Sequence, residues 1–174
     1  NDKEIWNAGG DINYFFGNFI TRKKLDNSLN SSNDFTQWFT GCCCLFSTKI
    51  FKEIGKFDER FFAYYEDADM SLRLKKYNYK IGFTSKTFIY HHESLSSNVN
   101  DSKHGSLNPF VHYLNIKNHI ILLRKHKDLF NSYGIVFFQF FKVLAYSIYF
   151  IFKLRFFKLK MVYKGLRDSL TMKI

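Results

Sequence analysis

The sequence predicts an α/β domain followed by amphipathic or hydrophobic helices, and three observations carry that reading. In the first 108 residues, strand-like runs ("FTQWFTGCCCLFS", "KIGFTS", "TFIYHH") alternate with helix-like ones ("TKIFKEIGKF", "EDADMSLRLKKY"). From Phe110 onward the pattern turns helical and strongly aromatic, first "PFVHYLNIKNHIILLRKHKDLF" and then "IVFFQFFKVLAYSIYFIF". Charge divides the chain at the same place. Val111 to Ile174 carries twelve Lys or Arg against Asp128 and Asp168, a net of +10 in a chain of +11. We therefore expect two regions, 1–108 and 109–174.

The bulk properties set limits. A chain of 174 residues that is 46% hydrophobic can bury a core. It is also 20% aromatic, with 22 Phe. Strong basicity implies a polyanionic partner: nucleic acid, anionic lipid or a phosphorylated small molecule. Cys42, Cys43 and Cys44 are consecutive and lack zinc spacing, so they are expected in a buried strand in a reducing compartment. The chain opens on "NDKEIWNAGGD" without an initiator Met or a signal peptide, and it reads as the interior of a longer protein.

In chain order, Thr21 to Asp34 reads as an exposed polar loop. "FTQWFTGCCCLFS" reads as a buried strand with Gly41 inside it. A short helix follows, with Thr48 as its N-cap and Gly55 just past its end. Glu66 or Asp67 caps the next helix, which runs to about Tyr77, and Asn78 suits the left-handed position that ends it. Asp69 and Arg73, four residues apart, pair on one face. "KIGFTS" and "TFIYHH" read as strands, and "ESLSSNVNDSKHGSLN" as a loop. After the helix from Phe110, a break falls near Asn131 to Gly134. Lys142, Lys153, Lys160, Lys164 and Arg167 fall on one narrow face if the rest is one continuous helix, with Gly165 weakening its last turn. A cationic stripe opposite Phe, Tyr and Leu marks a helix lying in a membrane interface. A membrane span or re-entrant hairpin and a packed soluble helix pair stay open.

The chemistry concentrates in "FDERFFAYYEDADMSLR". A carboxylate at a helix start feels the positive end of the helix dipole and accepts backbone N–H bonds, which favours its ionised form. Aromatics ahead of it can form an apolar wall for a sugar. Such residues suit removal of a proton from a hydroxyl. Capping plus the Asp69–Arg73 pair explains the same residues without any chemistry.

The motif pattern bears on that choice. Gly41, then Gly55, Phe57, Asp58, Glu59, Phe62, Tyr65, Glu66, Asp67, Asp69 and Arg73, then Tyr79, Ile81, His91, His92 and Ser96 resemble, almost position by position, the C-terminal half of the catalytic domain of family 2 glycosyltransferases. The rhamnosyltransferase-like branch matches best. "IWNAGGDI", "YLNIKNHIILLRKH" (with Lys117 in place of the usual Arg) and "YKGLRDSL" are weaker matches. Asn78 stands where the family usually has Gly.

The resemblance implies a GT-A-type nucleotide-diphospho-sugar transferase whose nucleotide-binding half and Asp-x-Asp motif precede Asn1. This chain alone is then expected to be inactive. It implies an inverting transfer from a nucleotide-diphosphate donor, with rhamnose the branch expectation, to a polysaccharide or lipid-linked acceptor. By that carry-over Asp67 is the base and Glu66 orients substrate, while Asp69 and Arg73 support the helix start. His91 completes a Mn²⁺ or Mg²⁺ site. Trp38, Gly41, Tyr65 and His92 contact substrate. The expected setting is cytoplasmic, peripheral on an anionic membrane surface, with a homo-oligomer compatible. A non-catalytic membrane-anchoring domain is the alternative. A nucleic-acid-binding module is disfavoured, because the cations sit on a Phe-rich tail and the strands lack spaced aromatics.

Overall fold

The computed structural model describes residues 5–23, 34–84, 86–87, 89–90 and 107–174. The elements are β1 (Gly10–Asn13), β2 (Asn18–Thr21), β3 (Asp34–Thr36), α1 (Thr48–Glu53), α2 (Glu66–Lys76), β4 (Ile81–Phe83), α3 (Pro109–Lys125), α4 (Ser132–Phe152) and α5 (Phe156–Thr171). Single 3-10 turns cover Glu59–Phe61 and Lys127–Leu129. The chain forms two compact units. One comprises residues 1–14, 18–62 and 66–91, and the other 15–17, 63–65 and 92–174.

In the first unit β1 pairs antiparallel with β2, Gly10 opposite Thr21, and β3 pairs antiparallel with β4, Thr36 opposite Ile81. The buried Thr36 hydroxyl joins the two ribbons by accepting the Gly10 N–H at 2.6 Å. α2 packs its apolar side into this unit, with Met70 and Leu74 buried beside Phe39 and Ile54. Burying each such side chain contributes about 1.5–3 kcal/mol. Phe46, Ile50 and Phe51 pack against the same cluster, which places α1 beside α2.

The helix ends follow local chemistry. α1 stops at Ile54, and Gly55 then takes φ +83°, a conformation that only Gly adopts cheaply. Its N-cap is Ser47 rather than Thr48, without a side-chain capping bond. α2 ends where Asn78 enters the left-handed region at φ 61°, and the Tyr79 N–H closes back on the Leu74 carbonyl at 2.9 Å.

Several expectations are overturned. Cys42, Cys43 and Cys44 are exposed free thiols in a turn, not a buried strand. The reason is that the chain leaves the ribbon after Trp38, and the Gly41 N–H turns to a side chain instead of a strand ladder. Glu66 and Asp67 lie inside the first turn of α2 rather than capping it. Thr21 and Asp34 end strands instead of belonging to a loop, and residues 24–33 lie outside the described set. Of "TFIYHH", Thr87, Ile89 and Tyr90 are in no strand, whereas Phe88, His91 and His92 lie outside the described residues, as does Ser96.

The second unit is helical. Asn108 caps α3 by accepting the Phe110 N–H, with Pro109 at the first helical position, where a missing N–H costs nothing. Ile116 and Ile120 of α3 bury against Phe150 of α4 and Val162 of α5. Two polar groups of α3 hold the segment 63–65. The Asn118 amide donates to the Ala63 and Tyr64 carbonyls at 2.8 and 3.0 Å. The His119 ring stacks on Tyr65 with centroids 4.9 Å apart. His119 Nε2 donates to the Gly17 carbonyl at 2.8 Å, so Nδ1 accepts from Gln139 and from Lys142 Nζ, each at 3.0 Å. Burial and the neighbouring Lys142 hold His119 down at about 3, and burial lowers Lys142 to about 8.

This arrangement breaks the expected cationic stripe. The helix ends at Phe152 and restarts at Phe156, with Leu154 at φ 53° between them. Lys142 faces His119, while Lys153, Lys160, Lys164 and Arg167 stay exposed. Gly165 is also not a weak point. A Cβ there would meet the Tyr113 carbonyl oxygen at 2.6 Å, so glycine is what lets α5 approach α3. Gly165→Val should therefore lower stability by about 1–3 kcal/mol in a thermal melt. Gly82→Val, where a Cβ meets nothing within 4 Å, should not lower it.

Candidate active site

The site is built around the start of α2. Acids in its first turn (Glu66, Asp67, Asp69) and bases in its last (Arg73, Lys75, Lys76) both complement the helix dipole. The loop after β3 is stitched to this helix by two backbone amides. The Phe39 N–H donates to the Ser71 hydroxyl at 3.3 Å, and the Gly41 N–H donates to Asp67 Oδ2 at 2.9 Å. Asp67 Oδ1 accepts the Ala68 N–H at 2.7 Å, and the Ser71 hydroxyl donates to the Asp67 carbonyl at 2.8 Å. Both carboxylate oxygens and the main chain of Asp67 are thereby fixed.

Beneath it, Asp69 is fully buried and accepts Arg73 Nε at 2.9 Å. The rest of the Arg73 guanidinium donates to the carbonyls of Ile54, Gly55 and Lys56 at 2.7–2.9 Å. Those carbonyls follow α1 and would otherwise lack partners. One ion pair thus fixes the end of α1 and the start of α2 together.

Gly41, Phe57, Asp58, Glu59, Phe62 and Glu66 line an open pocket of about 480 Å³. The backbone leading to Glu66 is strained. Phe62, Tyr64 and Tyr65 all have positive φ, at 49°, 67° and 74°. Bulky residues in that region cost roughly 1–3 kcal/mol each and gather at functional sites.

Electrostatics adds a second cost. Burial pushes the Glu66 carboxyl up, opposed by a backbone hydrogen bond and reinforced by the Asp67 charge. Burial also pushes Asp67 up, although the N–H groups of Gly41 and Ala68 pull it down. The amide bonds expected of a carboxylate at a helix start are present, but burial outweighs them. A raised carboxylate is a stronger base than an ordinary one.

The expected site residues fall into different settings. Gly41, Glu66 and Asp67 come together. Trp38 is buried at 9% exposure, edge-on to Phe19, with its indole N–H on the Ile20 carbonyl, and does not line the pocket. Tyr65 stacks on His119 in the second unit. Phe57, Phe62, Asp58 and Glu59 also line the pocket: sequence reasoning expects the aromatics only collectively, as a wall for a sugar, and assigns Asp58 and Glu59 no role. The signal was available in "FDERFF", where two carboxylates sit between aromatics directly ahead of Glu66 and Asp67.

The family described as "Glycosyl transferase family group 2" matches residues 12–164. The chain belongs to glycosyl transferase family group 2. A GT-A-type α/β fold goes with this family. The chain is 33% identical over 67 residues to an N-acetylglucosaminyl-diphospho-decaprenol L-rhamnosyltransferase of Mycobacterium tuberculosis, covering 38% of this chain and 22% of the relative. It is 35% identical over 57 residues to the O-antigen biosynthesis protein RfbC of Myxococcus xanthus, covering 33% of this chain and 4% of that one. The chain therefore spans about a fifth or less of the length of these relatives. No solved structure matches it.

Family 2 glycosyltransferases generally use a divalent metal. Among the described residues, no three His, Cys, Asp or Glu side chains stand together as metal ligands, and His91 lies outside them. The described donor set does not fit a cation by itself.

The raised Glu66 pKa has a consequence for stability. As pH rises through the ordinary glutamate range, the unfolded chain gives up this proton before the folded one does, so folding stability falls. Below that range both states are protonated and nothing is lost. Glu66→Gln should thus melt higher than the parent at pH 7, and the gap should close as pH drops below the ordinary glutamate range.

Proposed function

We propose that this chain carries the acceptor side and the catalytic base of an inverting glycosyltransferase. The observation that supports it most is the Asp67 carboxylate, pinned by the Gly41 and Ala68 amides, partly desolvated and beside an aromatic and acidic pocket. An acceptor hydroxyl attacks the anomeric carbon of a nucleoside-diphosphate sugar. The new C–O bond forms as the bond to the diphosphate breaks on the opposite face, and the hydroxyl proton passes to Asp67. Glu66 orients the acceptor, and the Asp69–Arg73 pair keeps the helix start in place. The donor-binding half lies in the longer protein, a reading supported by the share of the relatives that this chain spans.

The relatives' names refine the substrates. A rhamnosyl donor and a sugar on a diphospho-lipid acceptor fit the mycobacterial relative's name, and O-antigen biosynthesis is what the other relative's name states. A lipid-linked acceptor makes a membrane surface a natural partner. α4 supports this: it is 21 residues long with a mean hydropathy of 1.9 over its most apolar stretch, and only 11% of that stretch is buried. Phe137, Phe140, Ile148, Ile151 and Phe152 are exposed on it. The exposed Lys153 ends α4, and the exposed Lys160, Lys164 and Arg167 lie along α5. In this reading the aromatic face of α4 lies in the headgroup layer while the cations meet the anionic lipid of the cytoplasmic leaflet.

Two measurements test these proposals. In the intact enzyme Asp67→Asn should reduce kcat roughly 10²–10⁴-fold with KM for donor little changed. Retained turnover would remove Asp67 from the chemistry. For the membrane, the quadruple change Lys153→Gln, Lys160→Gln, Lys164→Gln and Arg167→Gln should cut sedimentation with phosphatidylserine vesicles by two orders of magnitude or more, at about 1 kcal/mol per cation. Phosphatidylcholine vesicles should not distinguish the two proteins.

A further inference from the structure

We infer that the pocket at the start of α2 is a binding site for one neutral pyranoside, with its C–H face laid on Phe62 and Phe57 and one of its hydroxyls donated to Glu66. This inference rests on the acceptor-side reading above and names the class of sugar that the site takes.

The first observation is Phe62. Its ring is 80% exposed, and its backbone stands at φ 49°, where a bulky residue is strained. Water gains nothing from an exposed phenyl ring, and the backbone loses by holding it there. Phe57 continues the same wall and is anchored from behind, with its ring 5.8 Å from Phe51 and 6.5 Å from Phe46. An aromatic face carries negative charge density and attracts the slightly positive axial C–H groups of a pyranose. An exposed aromatic pair at the rim of a cavity is the arrangement that such a sugar needs.

The second observation is independent of the first. Glu66 Oε2 is enclosed by protein and has no protein hydrogen-bond donor. A buried acceptor left without a donor costs about 1–3 kcal/mol. Glu66 also lines the pocket, so a sugar hydroxyl meets this carboxyl at its other oxygen, Oε1, and leaves the enclosed Oε2 as it is. Oε1 and Asp67 Oδ2 each lie 3.9 Å from where a Gly41 Cβ would stand. A hydroxyl engaged by Glu66 thus shares the Gly41 side of the pocket with the residue proposed to take the proton.

The third observation sets the charge class. The acids in the lining are Asp58, Glu59 and Glu66. Arg60 spends its guanidinium on Asp58, accepted at 2.8 Å, so that charge is offset. Glu59 and Glu66 remain, with no base among the lining residues. Uronates and other anionic sugars are repelled, whereas neutral pyranosides are not. A volume near 480 Å³ is within the range of small-ligand sites, about 300–1,000 Å³. In a diphospho-lipid acceptor, the diphosphate must then point away from this rim.

The test reads binding, not turnover, on the whole 174-residue chain. Methyl β-glucopyranoside and methyl β-glucuronide are compared by saturation-transfer NMR and titration. The glucoside should receive saturation mainly at its ring C–H protons, and Phe62→Ala should weaken its binding roughly fivefold or more. The same variant should melt no lower than the parent, because it removes an exposed ring from a strained position. The glucuronide should bind at least fivefold more weakly than the glucoside, and the double variant Glu59→Gln, Glu66→Gln should close that gap. Equal binding of the two sugars to the parent, or glucoside binding unchanged in Phe62→Ala, would overturn the inference. Neither result bears on whether Asp67 takes the proton, and loss of transfer in Asp67→Asn would not rescue a pocket that fails here.

Discussion

The contact on which the site depends is a hydrogen bond from a loop amide to a helix carboxylate, Gly41 N–H to Asp67 Oδ2. It joins two segments 26 residues apart in sequence. A carboxylate in the first turn of an exposed helix normally swings in water. Here one oxygen is held by that distant amide and the other by the amide of the next residue. The Ser71 hydroxyl repeats the stitching one turn later, bonded to Phe39 on one side and to the Asp67 carbonyl on the other. The loop after β3 and the start of α2 are consequently one piece of geometry.

That geometry is costly, and the costs fall in one place. Three aromatic residues ahead of Glu66 have positive φ, and two adjacent carboxylates are pushed upward by burial. Stability alone would not select such an arrangement. The offsetting terms are nearby: the apolar contacts of Met70 and Leu74, and the buried Asp69–Arg73 pair that gathers three carbonyls behind α1. In the second unit, the Asn118 amide satisfies the carbonyls of Ala63 and of Tyr64, which has positive φ. Strain and desolvation concentrated beside a pocket are what a preorganised catalytic carboxylate requires.

Much of this was legible in the sequence, for local reasons. Gly55, Asn78 and the Asp69–Arg73 spacing are signals that depend on a few neighbouring residues, and each appears where expected. The acidic block was legible because charge stands out against a basic chain. What was not legible depended on distant partners. The cysteine run looks like a strand by composition, but in the fold the Gly41 amide ahead of it bonds Asp67, 26 residues away, and the thiols are exposed. The cationic stripe assumed one helix, but the turn at Leu154 folds α5 back onto α3, where Gly165 permits contact. Tyr65 and Trp38 look like sugar-binding aromatics in one dimension. In three, their rings are occupied by His119 and by Phe19.

The most direct test of the account is the pH profile of kcat/KM for sugar transfer by the intact enzyme. A catalytic Asp67 pushed up by burial gives an acidic limb whose apparent pKa lies above the ordinary aspartate value. It belongs to the coupled Glu66–Asp67 pair, and it must change when Asp67 is made Asn. A limb at the ordinary aspartate value, or one that survives that substitution unaltered, would contradict it.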